Sequence, residues 1–187
     1  MKIGFVGVGI MGAPMAGHLA DAGHEVCACD IGDIPQELTG KGVKQVANGK
    51  EAAEASEVVI VMVPDTPDVA KVLFGAGGVA EGLSAGKIVV DMSSISPVDT
   101  KEFAKKINDL GCQYLDAPVS GGEVGAKAAS LTIMVGGAQG TFDTVKPLFD
   151  LMGKNITLVG GNGDGQTCKV ANQIIVALNI EAVAEAL

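Results

Sequence analysis

The chain has 187 residues, 48% of them hydrophobic and 19% charged, with 27 glycines and no tryptophan. Such a length suits one complete domain with a piece of another, and such a composition excludes a disordered chain, which lacks the apolar residues needed for a core. The net charge of −9, with Lys as the only basic residue besides two His, excludes an electrostatic grip on nucleic acid and leaves no Arg for bidentate anion binding.

From the first residue onward, short apolar runs alternate with longer helical patterns, which predicts a parallel sheet covered by crossover helices. Strands are predicted at Lys2 to Val6, Glu25 to Asp30, Lys44 to Val46, Val58 to Val63, Lys87 to Met92, Gln113 to Asp116, Leu131 to Gly136 and Ile156 to Val159. Helices are predicted at Met11 to Ala22, Lys50 to Ala55, Pro67 to Leu73, Pro97 to Leu110, Ala138 to Met152 and from Gly165 onward. The expected fold class is α/β, a doubly wound, mostly parallel Rossmann-type sheet. The apolar start is broken by Gly4 and Gly7, no segment reaches the roughly 20 apolar residues of a membrane span, and a cytoplasmic protein is expected. Cys27, Cys29, Cys112 and Cys168 fit neither a zinc ligand set nor a disulfide framework, so reduced thiols and no metal are expected.

The first motif is Gly7-Val8-Gly9-Ile10-Met11-Gly12, which follows a predicted strand and opens a predicted helix. In that context G-x-G-x-x-G is a dinucleotide fingerprint: Gly7 permits the tight turn, Gly9 lets the backbone approach a pyrophosphate, and Gly12 lets the helix pack on the strand. The helix N-terminus then offers free amides and a positive dipole end to the phosphates. Asp30, at the predicted end of the second strand, is placed to accept hydrogen bonds from the adenosine ribose, which favours NAD; the alternative is that it only caps the next turn. A 2′-phosphate would need a cation, and Ile31 to Ile34 supply none, so NADP is the alternative cofactor.

Two later segments are polar and Gly-rich where strand ends are expected. In Asp116 to Ala126, the hydroxyl of Ser120 and the amides of Gly121 and Gly122 are placed to form an anion-binding concavity, or simply a flexible turn. Gly163 to Gln173 leads into the last helix, where Lys169, Asn172, Gln173 and Val176 share one face. A Lys and two amides on an otherwise apolar helix point to a catalytic group, against the reading of Lys169 as a snorkelling surface residue. The helix is apolar nearly all round, wants burial on every side, and stops without a terminating signal, so a missing helical domain and an aggregating or associating surface are expected. The expected division is residues 1–162 for a dinucleotide-binding domain and 163–187 for the beginning of an interdomain helix.

Four segments in order, Gly4 to Ala16, Asp91 to Pro97, Asp116 to Ala126 and Gly163 to Gln173, resemble the β-hydroxyacid dehydrogenase (3-hydroxyisobutyrate dehydrogenase-like) family, most nearly the branch acting on tartronate semialdehyde. The resemblance covers the whole chain. It implies an NAD(P)-dependent enzyme acting on a CH–OH group, with a small semialdehyde or 3-hydroxy acid as substrate and a homo-oligomer built through a C-terminal helical domain. It implies that Gly7, Gly9, Ile10, Met11, Gly12 and Asp30 hold the dinucleotide, with Val63, Pro64 and Ser94 nearer the nicotinamide. Ser120, Gly121 and Gly122 would bind substrate, and Lys169 would be the general acid, assisted by Asn172 or Gln173. Many family members carry Asn four residues after the Lys, where this chain has Gln173, with Asn172 one position earlier. The 6-phosphogluconate dehydrogenases have His then Asn there, which disfavours decarboxylation. The competing readings are another semialdehyde dehydrogenase such as that for 3-hydroxyisobutyrate, an imine reductase, and a non-catalytic dinucleotide-binding or interaction module.

Overall fold

The structure, a computed structural model, describes residues 1–187. The chain runs β1 (Lys2–Val6), α1 (Gly12–Asp21), β2 (Glu25–Cys29), α2 (Gln36–Gly40), β3 (Lys44–Gln45), α3 (Gly49–Glu54) and β4 (Val58–Val61). It continues through α4 (Thr66–Phe74), α5 (Val79–Gly82), β5 (Ile88–Asp91), α6 (Pro97–Asp109), β6 (Gln113–Asp116), β7 (Val119–Ser120) and α7 (Gly122–Lys127). It closes with β8 (Leu131–Gly136), α8 (Gln139–Phe149), β9 (Gly153–Gly160) and α9 (Asp164–Ala186).

One sheet has the order β3-β2-β1-β4-β5-β6-β8-β7, with β9 also paired to β8. β1 to β6 are mutually parallel, β8 is antiparallel to β6 and β7, and β9 is parallel to β8. The expected doubly wound, mostly parallel architecture is therefore observed. Alternate residues of the central strands face opposite layers, as the two-residue period requires. Ile60, Val90 and Leu115 join a core with α1, α2 and α8, whereas Val59, Val89 and Tyr114 join a second core with α3, α4 and α6. With both faces covered, these strands must be apolar throughout, which is why they read as unbroken runs in the sequence.

The helix starts follow local chemistry. Asn48 accepts from the Glu51 amide (3.0 Å), and the Glu51 carboxylate accepts from the Ala47 amide (2.9 Å) in return. Ser96 caps α6 with Pro97 in its first turn. The elements that sequence periodicity does not show, α2, α5, β7 and α7, are all six residues or shorter, too short to carry a pattern. The predicted loop from Asp116 to Ala126 is accordingly a strand and a helical turn. Ala126 is wholly buried there, and His18 of α1 donates through Nε2 to its carbonyl (2.9 Å). Three of the four thiols are buried; Cys168 is only half so.

The start of α9 is fixed to the sheet by Asp116, a carboxylate with 0% exposure at the end of β6. Its Oδ1 accepts from the Gly163 amide (2.7 Å) and its Oδ2 from the Gln166 amide (3.0 Å). Gly163 takes φ +88°, and a Cβ at Gly165 would lie 2.8 Å from Asp116 Oδ2 and 2.5 Å from the Met134 carbonyl. The Gly-Asp-Gly sequence is thus what lets a helix begin directly against β8. Beyond these first turns α9 is exposed, with Ile174, Ile175, Leu178 and Ile180 in solvent. The all-round apolar pattern is observed, the all-round burial is not.

Replacing Asp116 by Ala leaves two buried amides without an acceptor, each costing about 1–3 kcal/mol. The expected loss is therefore about 2–6 kcal/mol of unfolding free energy in a urea titration. An Asp116→Ala chain as stable as the parent would refute the anchoring role.

Candidate functional site

The strand order reverses direction between β1 and β4, because β1 connects outward to β2 while β4 leads away on the other side. In doubly wound folds ligands bind in the crevice at the carboxyl ends of the strands at such a point. The three glycines of the turn between β1 and α1 have different physical duties. Gly7 has φ +92°, and a Cβ there would overlap the Met62 carbonyl; a Cβ at Gly12 would overlap the Gly7 carbonyl. Both are demanded by the fold itself. Gly9 is not, since a Cβ there would meet no protein atom within 4 Å. Its missing side chain faces open space, where the backbone can be approached by a ligand, and the residues present therefore fit a pyrophosphate cradled at the start of α1.

Asp30 stands at the rim of this turn. Its Oδ2 accepts from the Val8 amide and its Oδ1 from the Ile31 amide, each at 2.7 Å. It does cap the following turn, and the same two bonds orient the carboxylate, each oxygen of which keeps a further lone pair for a ribose hydroxyl. All nine residues singled out for the dinucleotide, from Gly7 through Asp30 and Val63 to Ser94, line one cleft of about 520 Å³. Lys71, on α4, lines it too. The residues directly after Asp30 give no sign of this cation, because it enters from an element 41 positions later in the chain.

The other half of the candidate site hangs from β5 and β6, whose last residues Asp91 and Asp116 are in register. The loop after β5 carries Ser93, Ser94 and Ile95. The Ser93 hydroxyl accepts from the Val63 amide (3.1 Å), tying this loop to the one after β4. The segment after β6 leads within four residues to Ser120, half-buried, followed by Gly121 and Gly122 at φ +135° and +59°. α9 brings Lys169, 9% exposed, to the same edge through the Asp116 anchor. Asn172 is half-buried and donates through Nδ2 to Gln173 Oε1 (3.0 Å), so the two amides pair with each other and Gln173 stays in solvent.

Desolvation lowers the pKa of Lys169, and no carboxylate forms an ion pair with it to restore the usual value. Behind it lies a polar layer not singled out in the sequence. Asp91, wholly buried, accepts from the Ser93 amide (3.0 Å) and the Tyr114 hydroxyl (3.0 Å). Burial pushes its carboxyl up to about 6 against the pull of those bonds, and Asp116 adds to the rise. Burial likewise raises Asp116, opposed by the Gly163 and Gln166 amides, and raises Tyr114 well above its ordinary range. The recognisable signal was an Asp ending two neighbouring strands, where sequence pattern alone suggested only strand termini.

A glycine turn shaped by backbone overlap, an oriented acidic residue at the end of β2 and a cleft at the reversal of strand order define a Rossmann-type dinucleotide-binding domain. Residues 2–161 match the family described as the NAD binding domain of 6-phosphogluconate dehydrogenase, and the chain belongs to that family. It is 61% identical over all 187 residues to 2-hydroxy-3-oxopropionate reductase of Escherichia coli (strain K12), of which it spans 64%. It is 39% identical to 2-(hydroxymethyl)glutarate dehydrogenase of Eubacterium barkeri, covering 100% of this chain and 62% of that protein. Among solved structures, the 3-hydroxyisobutyrate dehydrogenase of Mycobacterium tuberculosis with L-serine superposes with a TM-score of 0.89 at 35% identity, covering 99% of this chain and 63% of that one. The chain thus spans less than two thirds of the length of these relatives.

Because Gly9 is free of fold constraints, Gly9→Ala should melt within about 1 kcal/mol of the parent yet bind NADH at least about tenfold more weakly in a fluorescence titration. Unaltered affinity would remove Gly9 from the site. For Asp91 the folded value of about 6 lies above the ordinary 3.8, so its contribution to stability is complete below about pH 3.8 and is lost as pH rises through about 6. Asp91→Asn keeps an acceptor for Ser93 and a partner for Tyr114 without the charge. It should be more stable than the parent at pH 8, by up to about 3 kcal/mol, since each pH unit between the two values is worth about 1.36 kcal/mol. The gain should shrink as pH falls from about 6 to about 3.8. A less stable variant at pH 8 would show that the ionised carboxylate is favoured by its hydrogen bonds.

Proposed function

We propose that this chain is the dinucleotide-binding portion of an NAD(P)-dependent oxidoreductase that reduces tartronate semialdehyde (2-hydroxy-3-oxopropionate) to glycerate, or reversibly oxidises a related 3-hydroxy acid. The observation that carries the reading is Lys169: a largely buried ammonium, free of any carboxylate, on a helix fixed to the edge that carries the dinucleotide cleft. The 61% identity to the Escherichia coli reductase supports the substrate. The cofactor, when bound, supplies the hydride. Gly7 to Gly12 would hold its pyrophosphate, Asp30 its adenosine ribose, and Val63, Pro64 and Ser94 the nicotinamide end. Asp30 favours NAD, and Lys71 is the group through which NADP would be accommodated.

Lys169 donates its Nζ proton to the carbonyl oxygen of the aldehyde as negative charge develops there, and recovers it in the opposite direction. A desolvated ammonium without a counter-ion is a stronger acid than a free one, which suits that transfer near neutral pH. Ser120 with the amides of Gly121 and Gly122 would bind the substrate carboxylate or hydroxyl, replacing the arginine that the chain lacks. Asn172 and Gln173, paired on the next turn, would orient the substrate. The domain division falls at residue 162, with 163–187 as the beginning of a helix into a further helical domain, a reading supported by the exposed apolar residues of α9.

A second reading, oxidation of 3-hydroxyisobutyrate or another 3-hydroxy acid with the same apparatus, is favoured by the likeness to the Mycobacterium tuberculosis enzyme, whose structure contains L-serine, itself a 3-hydroxy acid. NADH oxidation by the protein at the full length of its relatives, offered tartronate, methylmalonate and succinate semialdehydes side by side, separates the two. Preferential turnover of the first is expected; no turnover with NADH binding intact would favour a non-catalytic module. Lys169→Ala should lower kcat by at least about 100-fold while leaving NADH affinity in place. Aldehyde reduction needs protonated Lys169, so the parent kcat should fall as pH rises through a value below 10.5, and that limb should vanish in the variant.

A further inference from the structure

Gln166 has no solvent exposure, and its main-chain amide and both polar atoms of its side chain are bonded to residues of the candidate site. Its main-chain amide donates to Asp116 Oδ2 (3.0 Å). Its side-chain Oε1 accepts from the Ile95 amide (3.1 Å), and its Nε2 donates to the Ser93 carbonyl (2.7 Å). The side chain therefore grips the loop that carries Ser94, from both sides of that residue. Lys169 lies three positions further along the same helix, on the face that Gln166 shares.

We infer that Gln166 is a positioning residue: by clasping the Ser93–Ile95 loop it fixes the separation between Lys169 and the Ser94 wall of the dinucleotide cleft. The inference rests on the proposed role of Lys169. Asp116 holds the first amides of α9 near the helix axis and so restrains its start more firmly than its rotation. A side chain reaching to about 6 Å from the axis moves by about 1 Å for each 10° of rotation. Misplacement by 1 Å costs up to about 100-fold in rate. The two Gln166 side-chain bonds act off the axis and resist that rotation. Their net contribution to stability is modest, about 1 kcal/mol each, although an aliphatic side chain of similar size would leave the buried Ile95 amide and Ser93 carbonyl unpaired. What the amide adds is a donor and an acceptor in fixed order, matched to one carbonyl and one amide of the loop.

The test uses the full-length enzyme with NADH and tartronate semialdehyde. Gln166→Met keeps the volume and removes both bonds; kcat should fall about 10- to 100-fold while the NADH Kd stays within about threefold. Gln166→Glu distinguishes geometry from filling. A neutral Glu accepts from Ile95 and donates to the Ser93 carbonyl as the amide does, whereas the ionised form sets a carboxylate against that carbonyl. The ratio of variant to parent kcat should therefore approach unity at low pH and fall as pH rises between about 5 and 9, where a buried Glu titrates. Three results would overturn the inference: Gln166→Met with parental kcat, a Glu-to-parent ratio that does not change with pH, or NADH affinity falling in step with kcat. If the Met variant does not fold, the pH profile of the Glu variant decides. A Lys169→Ala control keeps the two readings apart: activity there defeats the role of Lys169, while an inactive control beside a flat Gln166→Glu ratio defeats only the clasp.

Discussion

Burial of the Asp116 carboxylate is tolerable because backbone amides meet both of its oxygens, and those amides belong to the first turn of α9. A carboxylate alone in that position would carry a large desolvation cost, and a helix start without it would leave orphan donors in the interior. The two requirements cancel, and the consequence is geometric: α9 cannot begin anywhere else. Gly136 and Gly165 enclose the same carboxylate so closely that a Cβ on either would lie within 2.8 Å of its oxygens. The Gly-rich approach to α9, which in isolation reads as a break between units, is a closely packed junction in which a Cβ at Gly165 would meet the Met134 carbonyl.

A second constraint operates across the sheet at Gly7, where the chain turns against the Met62 carbonyl of the loop after β4. This close approach sets the floor of the dinucleotide cleft, and the bond from the Val8 amide to Asp30 sets its rim. The two halves of the candidate site are therefore each fixed by backbone-to-carboxylate bonds at strand ends, after β2 and at the end of β6. They are joined through Ser93, which accepts from the Val63 amide on one side and, through its carbonyl, from Gln166 on the other. Such a connected, fully paired polar layer is rigid in the sense that no member can turn without leaving a buried group unbonded. A proton donor held in this way suits the reaction proposed here, in which orientation and desolvation are the protein's contribution.

The relatives named above have longer chains, and the apolar side chains of α9 beyond Lys169 face solvent in the present one. The helix is thus divided by function along its length. Its first turns are bonded to the sheet edge, and the remainder carries Ile174, Ile175, Leu178 and Ile180 exposed.

The sequence by itself determined the α/β class, the nucleotide turn and the positions of most strands and long helices. Each of these is written locally: unbroken Val and Ile runs because both sheet faces are covered, Gly7 and Gly12 because backbone overlap forbids a Cβ, and Ser96-Pro97 because a helix start needs a cap. It also placed Asp30 among the candidates by its position at a strand end after the glycine turn, and Lys169 by charge on an apolar helix. The short elements α2, α5, β7 and α7 escaped it, since they carry too few turns to show a period; α7 is held by contacts such as His18 to Ala126. Only the tertiary structure decided that Lys71 borders the same cleft as Asp30, and that Asp91, Asp116 and Gln166 form one buried layer behind Ser94 and Lys169. Lys71 lies 41 positions from Asp30 and the Gln166 bonds span 50 to 73 positions, and pairing a buried polar group depends on distances that no local pattern encodes.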